Sequence, residues 1–82
     1  MTVRVRLFAA AAEAAGVDEG TVPAGPLTRV LAEVGAAAPD AQRWESVLDR
    51  CSVLVDGLLT TGYEDEVPSG STVDVLPPFA GG

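Results

Sequence analysis

The sequence predicts an α+β domain in which one main helix covers one face of a mixed sheet and an extended tail follows the last strand. Three observations carry this expectation. Val3, Val5 and Leu7 alternate with Arg4, Arg6 and Phe8, the period-2 pattern of a strand with one buried face. Leu27, Val30, Leu31 and Val34 recur at i, i+3, i+4, i+7, which puts all four on one side of a helix. Asp56-Gly57 separates two short apolar runs, and a D-G pair in that setting marks a tight hairpin because both turn positions need positive φ.

The remaining elements follow in chain order. The alanine-rich stretch 9–15, closed by Gly16, favours a helical turn by propensity. It has no apolar stripe, so it is expected to be short and exposed. Residues 17–22 return as a second strand beside the first, and Pro23-Ala24-Gly25-Pro26 breaks the chain. Pro26 reads as the first residue of the main helix, where its missing N–H costs nothing, and Pro39 ends that helix. Asp40 can cap a shorter helix in which Trp44, Val47, Leu48 and Cys51 repeat the apolar spacing. Cys51 then packs as a small hydrophobe rather than a reactive thiol, and Trp44 anchors the helix. The hairpin strands are 52–55 and 58–61. Glu64-Asp65-Glu66 reads as a solvated acidic loop, Ser69-Gly70 as a turn, and Val73 and Val75 as inward positions of a final strand that stops at Pro77. If the first and last strands pair at the sheet centre, the result is a β-grasp domain over residues 1–76, with residues 77–82 as a C-terminal Gly-Gly tail.

Composition excludes most chemistry by side chains. A chain of 82 residues is one domain, with a net stability of roughly 4–12 kcal/mol. It has no His, no Lys and a single Cys, hence no Ser-His or Cys-His pair, no imidazole ligand and no Schiff base. Twelve carboxylates remain, but they catalyse only when two are held across a cleft, which so small a domain does not form. A net charge of −7 argues against nucleic acid and anionic membranes. It suits solubility, or steering towards basic docking faces. The N-terminus shows no signal-peptide pattern, and no run approaches the roughly 20 apolar residues of a membrane span. One unpaired Cys fits a reducing compartment, so a cytoplasmic location is expected.

The tail is the segment that cannot join the fold. In Pro77-Pro78-Phe79-Ala80-Gly81-Gly82 two prolines stop strand pairing and favour a stiff, extended exit. Six residues at about 3.3–3.6 Å each reach about 20 Å beyond the domain. Frayed, glycine-rich ends are common, but fraying does not account for stiff prolines before the glycines. A terminal carboxylate becomes an electrophile once activated, for instance as an acyl-adenylate. Activation requires threading the last residues into another enzyme's narrow site, where glycine leaves the backbone without a Cβ. The tail is therefore expected to lack regular structure until a partner binds it.

The whole chain resembles the small, sulfur-carrying subunits of molybdopterin synthase, members of the MoaD/ThiS-like, ubiquitin-related group. The likeness includes the opening strand into Leu7-Phe8-Ala9, Glu13 before Gly16, Arg43-Trp44, the Val55-Asp56-Gly57 hairpin, and above all Val75-Leu76-Pro77-Pro78-Phe79-Ala80-Gly81-Gly82. One departure is that Ala10 to Ala12 lack the basic residue that the family carries just before Glu13. The resemblance implies a ubiquitin-like β-grasp fold and a cycle centred on Gly82. A ubiquitin-activating-like enzyme uses ATP to adenylate the Gly82 carboxylate, and a sulfurtransferase donor converts it to a thiocarboxylate. The tail then enters the large synthase subunit, in a heterotetramer, and delivers sulfur to cyclic pyranopterin monophosphate. Phe79 would pack at the partner's mouth, with Pro78, Ala80 and Gly81 in its channel. The carrier would be a non-catalytic, sulfur-donating subunit with no bound cofactor or metal of its own. Gly-Gly by itself is shared with carriers for thiazole or cysteine synthesis and with protein modifiers, and those alternatives stay open.

Overall fold

The computed structural model describes residues 1–78. The valine alternation forms β1 (Thr2–Leu7), with Val3, Val5 and Leu7 buried and the residues between them exposed. The chain then runs through α1 (Ala10–Ala15), β2 (Glu19–Pro23), β3 (Gly25–Pro26), α2 (Leu27–Ala36), α3 (Ala41–Leu48), β4 (Ser52–Val55), β5 (Leu58–Leu59), β6 (Glu66–Val67) and β7 (Thr72–Leu76). The main sheet has the order β2-β1-β7-β4-β5, and β3 and β6 form a separate two-stranded ladder. β1 and β7 are parallel, in the register Arg4↔Thr72 to Leu7↔Val75, while β2 and β4 flank them antiparallel. The first and last strands thus pair inside the sheet, which meets the condition for the β-grasp fold.

One face of this sheet is the core. Val3, Val5, Leu7, Val53, Val73 and Val75 meet the α2 stripe of Leu27, Val30, Leu31 and Val34 in one buried cluster. Trp44 of α3 joins it at 2% exposure. A Cβ built on Gly35 of α2 would lie 2.7 Å from Trp44 Cδ1, so the indole seats on α2 because that helix has no side chain there. Asp40 caps α3 as expected, its Oδ1 accepting from the Arg43 N–H at 3.1 Å.

Several expectations are corrected. α1 is short but not exposed, because Ala11, Ala14 and Ala15 are buried. A methyl face is too small to register as an apolar stripe, yet it lets α1 pack closely into the core beside α3. Pro26 is the cap of α2 rather than its first turn, with extended backbone at φ −58, ψ 144. Glu64-Asp65-Glu66 has exposed side chains as expected, but it is not simply a loop, since Glu66 pairs in β6 and the backbone around it serves α2. The carbonyls of Asp65 and Tyr63 accept the Leu27 and Thr28 N–H groups at 3.0 and 2.8 Å, satisfying donors that a helix start leaves open. Val67 of β6 is a fully buried core residue. The second strand begins at Glu19, leaving Val17 outside it and half-exposed.

The Asp56-Gly57 turn has the predicted geometry, with φ of 51 and 84. Its aspartate also reaches across the sheet end. Oδ1 accepts from the Thr72 N–H at 2.9 Å and Oδ2 from the Ser71 hydroxyl at 2.8 Å. These bonds, the Thr72 N–H first, hold the Asp56 carboxyl below its ordinary pKa of 3.8. A depressed folded-state pKa adds stability above the unfolded value and loses it as the pH falls through the folded one. Asp56→Asn should therefore lower stability at neutral pH, with the gap to the parent closing below about pH 3.8; urea titrations at pH 7 and pH 3 measure this. Gly35→Ala should destabilise by about 1–3 kcal/mol through the clash with Trp44, despite alanine's better helix propensity, and chemical denaturation reads that sign.

Candidate functional site

The predicted site residues are Pro78, Phe79, Ala80, Gly81 and Gly82. Pro78 is exposed and outside any strand or helix; the other four lie outside the described residues. What the structure places is the exit. β7 leaves the sheet centre as Leu76 and passes through half-buried Pro77 to Pro78. Proline supplies no N–H for a ladder bond, and pairing ends there. Beside the exit, the Phe8 N–H bonds the Val75 carbonyl at 3.3 Å, extending the parallel β1–β7 ladder by one residue. The next residue, Ala9, has φ 50 and ψ −124, a strained conformation for a residue with a Cβ. The strain sits at the turn where the chain leaves the sheet for α1.

The sheet face opposite α2 carries side chains that the sequence did not single out. Arg6 and Asp74 stand in register across β1 and β7. Arg6 Nε and Nη2 donate to the two Asp74 oxygens at 2.7 and 2.9 Å, a bidentate pair in which Asp74 is 14% exposed. The hydrogen bonds to Asp74, then its charge, raise the Arg6 pKa above its ordinary value. The Arg6 guanidinium also lies 5.9 Å from the Phe8 ring centroid, within cation–π range. Leu54 pairs with Leu59 on one side and with Asp74 on the other, and directly opposite residues share a face. Leu76 projects to the same side as Leu54, since Val53, Val73 and Val75 point to the core. The result is a patch of Phe8, Leu54, Leu59 and Leu76 around one neutralised ion pair, spread beneath the exit. Its signal in the sequence was the outward positions of the strands, which periodicity alone reads as solvent-facing.

Two further residues from the sequence reading find structural roles. Arg43 of α3 reaches Glu13 of α1 at 3.4 Å, an exposed ion pair between neighbouring helices. Cys51 lies past the end of α3, partly buried, with its thiol 3.2 Å from the Val47 carbonyl. Burial pushes its pKa up, away from the thiolate that a nucleophile or metal ligand requires. Among the described residues no group of three or more His, Cys, Asp or Glu is placed to hold a metal ion, and no helix is long and apolar enough to cross a membrane.

A main helix across a mixed sheet, with parallel first and last strands and a tail leaving the central one, defines a ubiquitin-like β-grasp protein. The chain belongs to the ThiS family, which matches it over residues 5–82. Among solved structures it is similar to SAMP1 from Haloferax volcanii, at 24% identity and TM-score 0.83 over 100% of both chains. It is similar to a chain in the complex of subunits 1 and 2 of the molybdopterin-converting factor from Helicobacter pylori, at 21% identity and TM-score 0.70 over 100% of both. A chain of the Amycolatopsis orientalis BexX/CysO complex matches at 21% identity and TM-score 0.72, over 98% of this chain and 99% of that one. No curated protein matches the chain.

The Cys51 environment predicts slow chemistry. Iodoacetamide at pH 7 should alkylate the folded chain markedly more slowly than the urea-unfolded chain, because the thiolate fraction is suppressed by burial. Intact-mass spectrometry over time reads both rates.

Proposed function

We propose that this chain is a sulfur carrier whose reacting group is the Gly82 carboxylate, and that it serves as the small subunit of molybdopterin synthase. The observation that carries the proposal is the exit. The central strand of the sheet runs directly into Leu76-Pro77-Pro78 and on to the sequence Phe79-Ala80-Gly81-Gly82, on a domain whose own side chains supply no imidazole or amine and only a partly buried thiol. The apolar patch of Phe8, Leu54, Leu59 and Leu76 offers a docking surface continuous with the tail, so one partner can hold the domain while enclosing the end of the chain.

In the proposed cycle, a Gly82 carboxylate oxygen attacks the α-phosphorus of ATP in the activating enzyme, and pyrophosphate leaves. The terminal sulfur of a donor persulfide then attacks the acyl carbon and AMP departs, giving an acyl disulfide; a second thiol cleaves its S–S bond, leaving the thiocarboxylate on Gly82 and a disulfide on the donor. Within the large subunit this sulfur passes to cyclic pyranopterin monophosphate, and water restores the carboxylate. Gly81 and Gly82 keep the backbone slim enough for both enzymes' channels, while Phe79 gives the tail an apolar anchor. Two of the similar structures are complexes with a protein partner and another is a small archaeal modifier protein, so the comparisons support both a subunit-partner reading and a modifier reading. The Pro-Pro-Phe-Ala-Gly-Gly ending favours the pterin carrier.

The thiocarboxylate form, mixed with a molybdopterin synthase large subunit and cyclic pyranopterin monophosphate, should yield molybdopterin with two carriers consumed per pterin. The carboxylate form should bind the same subunit and give no product. Deleting Gly82 should abolish turnover while moving the thermal midpoint by less than about 2 °C. Sulfur delivery confined to thiazole or cysteine synthesis, or isopeptide conjugates in place of a thiocarboxylate, would overturn the pathway assignment.

A further inference from the structure

β2 is an edge strand, and the side of it away from β1 is open. In the β1–β2 ladder the Leu7 N–H bonds the Asp18 carbonyl and the Ala24 N–H bonds the Met1 carbonyl. Alternation then turns the backbone groups of Gly20 and Val22 towards β1 and those of Glu19 and Thr21 outward. Among the described residues no hydrogen bond is formed by the Glu19 or Thr21 backbone beyond that ladder. An exposed row of this kind is a template for another strand.

Directly beside that edge, between β2 and α2, lies an apolar cleft of about 140 Å³ whose lining includes Val5, Leu7, Val17, Gly20, Val34 and Glu33. Its origin is Gly20. This residue stands opposite Val5 on the core side of the sheet, where a Cβ would meet nothing within 4 Å, so an inward position is left without a side chain. A strand added to the β2 edge would alternate its side chains about the sheet plane, and its inward ones would drop into this space.

Charge selects among occupants. Glu33 stands in the wall of the cleft, and Asp18 lies two residues before Gly20 on the same side of the strand; both are exposed. Glu19 faces the opposite side of the sheet, where Arg4 lies 3.5 Å from it, and Arg29 stands one turn before Glu33 on α2. A second copy is disfavoured twice over. It would bring −7 against −7, and a symmetric pairing of two β2 edges centred on Thr21 would set Glu19 against Pro23, which has no N–H to give.

We infer that the β2 edge and the Gly20 cleft form a peptide-binding site, taking an extended segment of a partner protein with aliphatic residues at alternate positions and flanking Lys or Arg, by strand addition to β2. The site lies on the β2 edge and the core side of the sheet, apart from the open sheet face.

The test uses the full chain in its carboxylate form and a fluorescein-labelled peptide, Lys-Lys-Val-Thr-Ile-Thr-Val. Anisotropy should show saturable binding at least about tenfold tighter than for the same peptide with Glu in place of Lys, and replacing its Ile with Pro should abolish binding. Backbone amide shifts on titration should be largest at Glu19, Gly20, Thr21 and Val34. Gly20→Leu, which fills the cleft from within, should weaken binding at least about tenfold while the amide spectrum stays folded; Glu33→Lys, which reverses the charge of the cleft wall without filling the space at Gly20, gives the same direction. Absence of saturable binding below about 1 mM, amide shifts centred on Phe8 and Leu59, indifference to both substitutions, or peptide-independent dimerisation by sedimentation would each overturn the assignment.

Discussion

The parallel pairing of β1 with β7 is the contact on which the other features depend. It joins residues 68 apart, as in the Arg6–Asp74 pair, so the chain closes a long loop before any of these bonds form. Once made, the pairing places Val3, Val5, Val73 and Val75 side by side as the floor against which α2 packs. The same pairing aligns Arg6 with Asp74 on the far face. It also leaves β7 with neighbours on both sides, so the segment after Leu76 departs from the most constrained part of the sheet. A tail hung from an edge strand would have one ladder behind it; this one has two.

How much of this was legible in the sequence depended on how local the cause was. The α2 stripe, the Asp40 cap and the Asp56-Gly57 turn are each specified within a few residues, and each appears where the spacing puts it. Central pairing of the first and last strands was legible because a single large helix leaves few sheet orders that bury it. The failures involve partners distant in sequence. α1 looked exposed because three alanines carry no amphipathic signal until another helix comes close enough to use them. Glu64-Asp65-Glu66 read as a solvated acidic loop, and its side chains are exposed; what stayed hidden is the task of the backbone carbonyls at Tyr63 and Asp65, which are the same for every residue type. Asp56 was read for its φ, while its carboxylate acts on Ser71 and Thr72, a partnership no local pattern encodes.

The candidate site divides similarly. The end of strand pairing at Pro77 was readable from residue order, since a proline pair is a statement about backbone and needs no tertiary context; residues 79–82 lie outside the described residues. The patch beneath the exit was not readable in this way. Phe8, Leu54, Leu59 and Leu76 come from four separate strands or strand ends and become neighbours through sheet register. The Arg6–Asp74 pair within the patch satisfies its own charges, which lowers what an apolar partner must desolvate there compared with two unpaired groups.

The position of β7 also gives the molecule a mechanical character. A pull applied at Pro77 acts along the strand axis, and β7 is held laterally by β1 on one side and β4 on the other. The two ladders are then loaded in shear, with their hydrogen bonds resisting together, instead of opening one by one as a peeled edge strand would. A load on the chain end therefore meets both ladders at once before it frays the domain. The fold behaves as a rigid handle for the chain end that it carries.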